Sequence, residues 1–96
     1  MSYKLRFHQL AWVEWQKLDN SLRAPQKKKL LERLENPHVP ASALSGMENC
    51  YKIKLKSIGY RLVYRVDEEI VYVTIIAIGK RDKEKVYVAA QARLKG

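Results

Sequence analysis

Residues 50–66 read CYKIKLKSIGYRLVYRV, and the architecture of the chain follows from them. From Cys50 to Lys56 the side chains alternate strictly: Tyr51, Ile53 and Leu55 on one face, Lys52, Lys54 and Lys56 on the other. A period of two belongs to a half-buried strand. Ser57-Ile58-Gly59 turns the chain into Tyr60 to Val66, where Leu62, Tyr64 and Val66 oppose Arg61, Val63 and Arg65. Two such strands joined by a tight turn predict an antiparallel hairpin. Further on, Asp67-Glu68-Glu69 makes another turn, and Ile70 to Ile78 is apolar on both faces, the pattern of a central strand covered on two sides. Gly79-Lys80-Arg81-Asp82 leaves the sheet, with Asp82 placed to cap a last helix from about Lys83 to Leu94. Val86, Ala89, Ala90 and Leu94 give that helix enough apolar surface to dock.

Upstream, residues 37 to 48 form a loop marked by Pro37, Pro40, Ser42, Ser45 and Gly46. Near the start, Tyr3, Leu5 and Phe7 alternate with Lys4, Arg6 and His8 and predict a first strand. Between Gln9 and Leu18, Ala11, Trp12, Trp15 and Leu18 fall at helical spacing, with both tryptophans expected in the core. Asp19-Asn20-Ser21 supplies turn and cap chemistry for a second helix carrying Leu22, Leu30, Leu31 and Leu34, which Asn36-Pro37 stops. Pro25 suits only a first helical turn, so the regular helix is expected from about Pro25. The order β-α-α-β-β-β-α predicts an α+β fold over residues 1–96. It is a single small domain with a mainly antiparallel four-stranded sheet and helices packed on one face.

The 96 residues include 19 Lys and Arg against 10 Asp and Glu, a net charge of +9. The first 48 residues contribute +3 and the last 48 contribute +6. Such an excess points to an acidic partner, nucleic acid first among them. Cys50 is the only cysteine, expected half-buried in its strand, and an intramolecular disulfide is excluded. No Cys or His pairs stand at ligand spacing, so a structural zinc site is excluded and no cofactor is implied. His8 and His38 lie in a strand and a loop, an arrangement that disfavours a two-histidine ribonuclease site. Ile70 to Ile78 is too short to span a bilayer, and Met1-Ser2-Tyr3-Lys4 lacks the apolar run of a secretory signal. A cytoplasmic protein with no membrane partner is the resulting expectation.

Five cations (Lys52, Lys54, Lys56, Arg61 and Arg65) and no acid lie between Cys50 and Val66. Lysines at alternate positions of a strand stand roughly 6–7 Å apart on one face. Lys80 and Arg81 join from the end of the central strand. Like charges so placed are unfavourable unless an anion receives them, so the segment predicts a phosphate-binding surface. Crowded lysines depress one another's pKa, and a lysine so lowered is able to act as a general base. Phosphodiester cleavage without metal needs a 2′-hydroxyl deprotonated, the phosphate charge held and the 5′-oxygen helped to leave. Arginine hardly gives up a proton, so it suits stabilisation of the leaving oxygen better than donation to it.

Four segments then carry a resemblance: Cys-Tyr-Lys-Ile-Lys-Leu (50–55), Gly-Tyr-Arg-Leu-Val-Tyr (59–64), Gly-Lys-Arg (79–81) and Val-Tyr (86–87). With Lys27-Lys28-Lys29-Leu30 and Leu44–Gly46, they resemble the RelE family of bacterial toxin–antitoxin modules along nearly the whole chain. That resemblance implies a microbial-ribonuclease-like domain that cuts messenger RNA in the ribosomal A site, without metal, leaving a 2′,3′-cyclic phosphate. It makes Lys52 and Lys54 the base-side and phosphate-contacting lysines, with Lys54 the proton acceptor. Arg61 would hold the scissile phosphate, Arg81 act at the leaving oxygen, and Tyr87 orient or stack on the nucleotide. Lys56, Arg65, Lys80, Lys83 and the Lys27–Lys29 run would face 16S ribosomal RNA. An antitoxin with an acidic segment is the implied partner. Ser45 departs from the family, where many relatives have a basic residue. Two alternatives stay open: a non-enzymatic RNA- or ribosome-binding module, and a toxin of the same fold that poisons DNA gyrase.

Overall fold

The alternating segment becomes the outer half of the sheet. In the computed structural model, which describes residues 2–55 and 59–95, β2 (Cys50–Lys54) pairs antiparallel with β3 (Tyr60–Asp67). Lys56, Ser57 and Ile58, read above as strand end and turn, lie outside the described residues. β3 in turn pairs antiparallel with β4 (Tyr72–Lys80), and β4 pairs in parallel with β1 (Lys4–Phe7). The strand order is β1-β4-β3-β2, so the mainly antiparallel sheet is mixed, with its one parallel ladder at β1. Helices α1 (Gln9–Gln16) and α2 (Asn20–Glu35) follow β1, and α3 (Lys85–Lys95) follows β4.

The helices do not share one face. α1 and α2 bury Ala11, Leu18 and Leu30 against Ile53, Leu62, Tyr64, Val66, Val73 and Ile75. α3 lies on the opposite face, burying Val86 and Ala90 against Cys50, Val63, Ile76 and Ala77. The apolar character of both faces of β4 is the reason: a one-sided arrangement would leave Ile76 and Ala77 in water. A bulge adds apolar surface to the α3 face. Val63 pairs with Ala77 and Tyr64 with Ile75, so Ile76 is an extra residue that joins Ala77 on the α3 face.

Several local expectations need correction. Pro25 sits inside α2, which begins at Asn20 behind Asp19. Leu22 and Arg23 both donate backbone N–H to the Asp19 carbonyl at 2.9 Å, closing a regular first turn ahead of the proline. Trp15 packs on the core, whereas Trp12 is 47% exposed and meets Phe7 in a T-shaped contact, with ring centroids 5.1 Å apart. β4 starts at Tyr72 because Val71, with φ 58°, is left-handed and ends the turn two residues later than the apolar run implied. The last helix starts at Lys85: Asp82–Glu84 forms a 3₁₀ turn in which Lys83 and Glu84 are both left-handed. Cys50 is 1% exposed rather than half-buried, and burial pushes its thiol pKa up.

Candidate active site

Lys54 stands directly across from Arg61, and Arg61 across from Gly79, in one row over three strands. Residues facing each other in antiparallel strands present their side chains on one face, with Cβ atoms about 4.5–5.5 Å apart. The neighbouring row, Lys52, Val63 and Ala77, runs under α3. A side chain at Gly79 would meet Val86 at 3.8 Å, so the first turn of α3 stands beside the Lys54–Arg61 row. The positive end of the helix dipole at that turn adds to a field that favours phosphate. Arg61 is half-buried and donates from Nη1 to the Tyr60 carbonyl at 2.8 Å, while Lys54 is exposed.

Arg81 arrives from β4. Its backbone N–H donates to the Gly59 carbonyl at 2.6 Å, tying the end of β4 to the β2–β3 connection. Gly59 has φ +76°, a left-handed conformation that costs least for glycine. Gly59, Lys80, Arg81, Asp82 and Lys83 line a cleft of about 520 Å³. A second cleft of about 360 Å³ lies between α3 and the loop before β2, and Lys52 and Tyr87 share it with Leu44, Ser45, Glu84 and Gln91. The fold thus gathers Lys52, Lys54, Arg61, Arg81 and Tyr87 along one end of the α3 face, with Lys80 and Lys83 exposed beside Arg81.

Other cations go elsewhere. Arg65 pairs across from Cys50 at the far end of β3, where its guanidinium meets Asp67 at 3.2 Å and Arg6 reaches the same carboxylate. Lys27, Lys28 and Lys29 are exposed on α2, the helix that packs on the opposite face of the sheet. His8 accepts the Leu10 N–H at the start of α1, and His38 bonds to Tyr51 and Glu68, so each histidine has local work.

Two groups of residues are not singled out in the sequence for a place at the site. Glu84 brings a carboxylate to the second cleft, and Asp82, expected to cap the last helix, instead lies inside the 3₁₀ turn and lines the first. Their adjacency to Arg81 and Lys83 was the available signal. The second group braces the outer edge of β2, where unpaired carbonyls need donors. Leu44 N–H donates to the Cys50 carbonyl at 3.0 Å, Arg33 to the Lys52 carbonyl at 3.5 Å, and Gln26 to the Lys54 carbonyl at 3.4 Å. Gln26 falls among Leu22, Leu30 and Leu34 at four-residue spacing, a polar residue in an apolar stripe. Arg33 also donates to the Tyr64 hydroxyl at 2.8 Å, and that hydroxyl donates to the Pro37 carbonyl at 2.6 Å. Burial raises the Tyr64 phenol pKa, with Arg33 pulling the other way.

A mixed sheet with helices on both faces and a cationic, aromatic-edged end matches a known class. The family model for the ParE toxin of type II toxin–antitoxin systems matches residues 5–84. The mRNA interferase toxin RelE of Escherichia coli strain K12 is 50% identical over 94 residues, which cover 98% of this chain and 99% of that one. The free-state structure of a double mutant of the E. coli RelE toxin superposes with TM-score 0.90 at 49% identity, over 98% of this chain and 99% of the other. The toxin in the intact E. coli RelBE toxin–antitoxin complex does so with TM-score 0.79 at 52% identity, over 82% and 96%. The chain belongs to the RelE family of type II toxins. Among the described residues no helix is long and apolar enough to cross a membrane.

Proposed function

We propose that this protein is the toxin of a type II toxin–antitoxin pair and an endoribonuclease that cuts messenger RNA in the ribosomal A site. One observation carries the reading: Lys54 and Arg61 stand directly across from each other on the α3 face of the sheet, beyond the residues that α3 buries, and Arg81 and Tyr87 line the two clefts. Residues 1–96 act as one domain in this scheme.

Lys54 takes the proton of the 2′-hydroxyl, and Lys52 supports it and contacts the phosphate. The 2′-oxygen then bonds to phosphorus while the bond from phosphorus to the 5′-oxygen breaks. Arg61 holds the charge that builds on the non-bridging oxygens. Arg81 stabilises the departing 5′-oxygen, which takes its proton from solvent because a guanidinium hardly releases one. Tyr87 stacks on the nucleotide and fixes its pose. The products are a 2′,3′-cyclic phosphate and a 5′-hydroxyl, with no metal in the scheme. Exposed Lys80 and Lys83, with the Lys27–Lys29 helix face and Lys56, add affinity for 16S ribosomal RNA. Arg65 contributes less, because Asp67 already neutralises it.

The toxin of the RelBE complex is bound by its antitoxin. A cognate antitoxin with an acidic segment suits a net charge of +9 and would silence this chain in the same way. The target places the action in the cytoplasm. Brief induction in growing cells, with primer-extension mapping of messenger RNA, tests the reading. Wild type is expected to arrest growth and cut within codons, and Lys54→Ala/Arg81→Ala to do neither. Equal arrest by both proteins with no cleavage would overturn it, and a parallel gyrase supercoiling assay would then examine the ParE-type alternative.

A further inference from the structure

β1 ends at Phe7, which pairs with Ile75, so among the described residues the β4 edge from Ile76 onward has no strand beside it. Backbone groups on an open edge need partners. Two side chains from opposite faces of the sheet supply them. Arg93 of α3 donates from Nη1 to the Ile76 carbonyl at 2.9 Å, and Glu14 of α1 accepts the Ile78 N–H at 3.0 Å. The same side chains close on each other: Nη1 to Oε1 at 2.7 Å and Nη2 to Oε2 at 2.9 Å. Such bidentate pairs fix orientation as well as distance. With the Arg93 side chain 13% exposed and Glu14 30%, water screens this pair less than a surface one.

α3 is seated by a small apolar set: Val86 and Ala90 are buried, and Tyr87, Ala89 and Leu94 are partly buried against the same core. It is joined to β4 through Lys83 and Glu84, two left-handed non-glycine residues. Yet α3 carries Tyr87 into the cleft with Lys52. Tyr87 and Arg93 are six residues apart in one helix, about 9 Å along its axis at about 1.5 Å per residue. A shift of the helix at Arg93 therefore moves the ring of Tyr87.

We infer that Glu14 and Arg93 are positioning residues for the cleavage reaction: by clasping the open edge of β4 they fix the seat of α3, and so the place of Tyr87 over Lys52. This rests on the ribonuclease reading. A misplacement of about 1 Å in a site group costs up to about 10²-fold in rate.

The test is a double-mutant cycle between Arg93→Ala and Tyr87→Ala. Cleavage is measured on programmed ribosomes, with kcat and KM separated, below the unfolding transition of every variant. Arg93→Ala is expected to lower kcat about tenfold with KM within about twofold, and to cost nothing more in the Tyr87→Ala background. Additive losses, or an unchanged kcat in Arg93→Ala, would overturn the inference. Arg93→Lys keeps the charge but not the fork and should fall between wild type and Arg93→Ala. The exchange Glu14→Arg/Arg93→Glu restores attraction but reverses the donor and acceptor owed to Ile76 and Ile78. It should stay impaired, and full recovery would count against an edge clasp. Amide exchange gives a readout without activity: Arg93→Ala should speed exchange about tenfold at Ile78 and in α3 alone, and an unchanged pattern would refute the seat. Absence of cleavage by the wild type would instead sink the ribonuclease reading, leaving the exchange comparison to decide whether the clasp seats α3.

Discussion

Under α1 and α2 the sheet shows Ile53, Leu62, Tyr64, Val66, Val73 and Ile75, all buried. One residue along the same strands, the other face shows Lys52, Lys54 and Arg61, of which α3 shelters only part. The closed face is continuous because two helices cover it. On the open face α3 covers the centre, Cys50, Val63, Ile76 and Ala77, and stops beside Gly79. The contrast amounts to a division along β2 and the start of β3, where core residues alternate with cations, whereas β4 is apolar on both faces. Cations placed on strands keep their spacing without ordering long loops, so the entropy of positioning them is already met by the fold.

If the two faces divide in this way, damage to them should separate too. The largest effect should come from the closed face: Ile53→Ala is expected to cost about 2–5 kcal/mol of stability, read by chemical denaturation. Its kcat for cleavage, measured on folded protein, should stay within about twofold, and a large loss would abolish the separation. Next, Arg61→Ala should lower kcat about 10²–10³-fold while leaving the denaturation midpoint nearly unmoved. A matching loss of stability would show that the cationic row is structural.

Smaller again is the effect of replacing Lys27, Lys28 and Lys29 together with alanine. These exposed residues on α2 should contribute to ribosome affinity alone. The salt slope of binding should fall by about 0.7 for each phosphate no longer neutralised, with kcat unchanged at saturating ribosomes. The smallest effect concerns pH. Burial holds the Cys50 and Tyr64 pKa values above their ordinary 9.0 and 10.0. Each group binds its proton more tightly in the folded state, so its contribution is intact below the ordinary value and lost as pH rises beyond it. Stability should therefore decline as pH climbs past 9, and Cys50→Val should make that decline shallower. A flat profile in the wild type would mean that neither group is shielded.

Strand alternation made the hairpin of β2 and β3 legible, because a period of two survives whatever covers it. The same alternation already sets Lys52, Lys54 and Arg61 on one face when the residues are read in order. What a single sequence hides is contact between distant segments. Glu14 and Arg93 lie 79 residues apart and look like ordinary surface charges until the β4 edge brings them together. The apolar run of β4 already called for cover on two sides, but the bulge that sets Ile76 beside Ala77 under α3 was hidden, because it leaves that run unbroken. Pro25 misled in the opposite direction, since three-dimensional packing of Leu22 and Leu30 sustains a helix through a residue that local preference would exclude. The roles proposed for Lys52, Lys54, Arg61, Arg81 and Tyr87 rest on family resemblance, as geometry alone does not distinguish a base from a phosphate contact.

The parallel ladder of β1 with β4 also has a consequence in time. Lys4–Phe7 is made before the rest of the sheet, and its partner, Tyr72–Ile75, is synthesised more than sixty residues later. Folding that waits for such distant pairing is slow and cannot be completed segment by segment as the chain emerges. Tyr87 and Arg93 come later still. The contact of Arg93 with Glu14 and with the Ile76 carbonyl therefore closes only after the sheet it braces has been synthesised, so the β4 edge is sealed last.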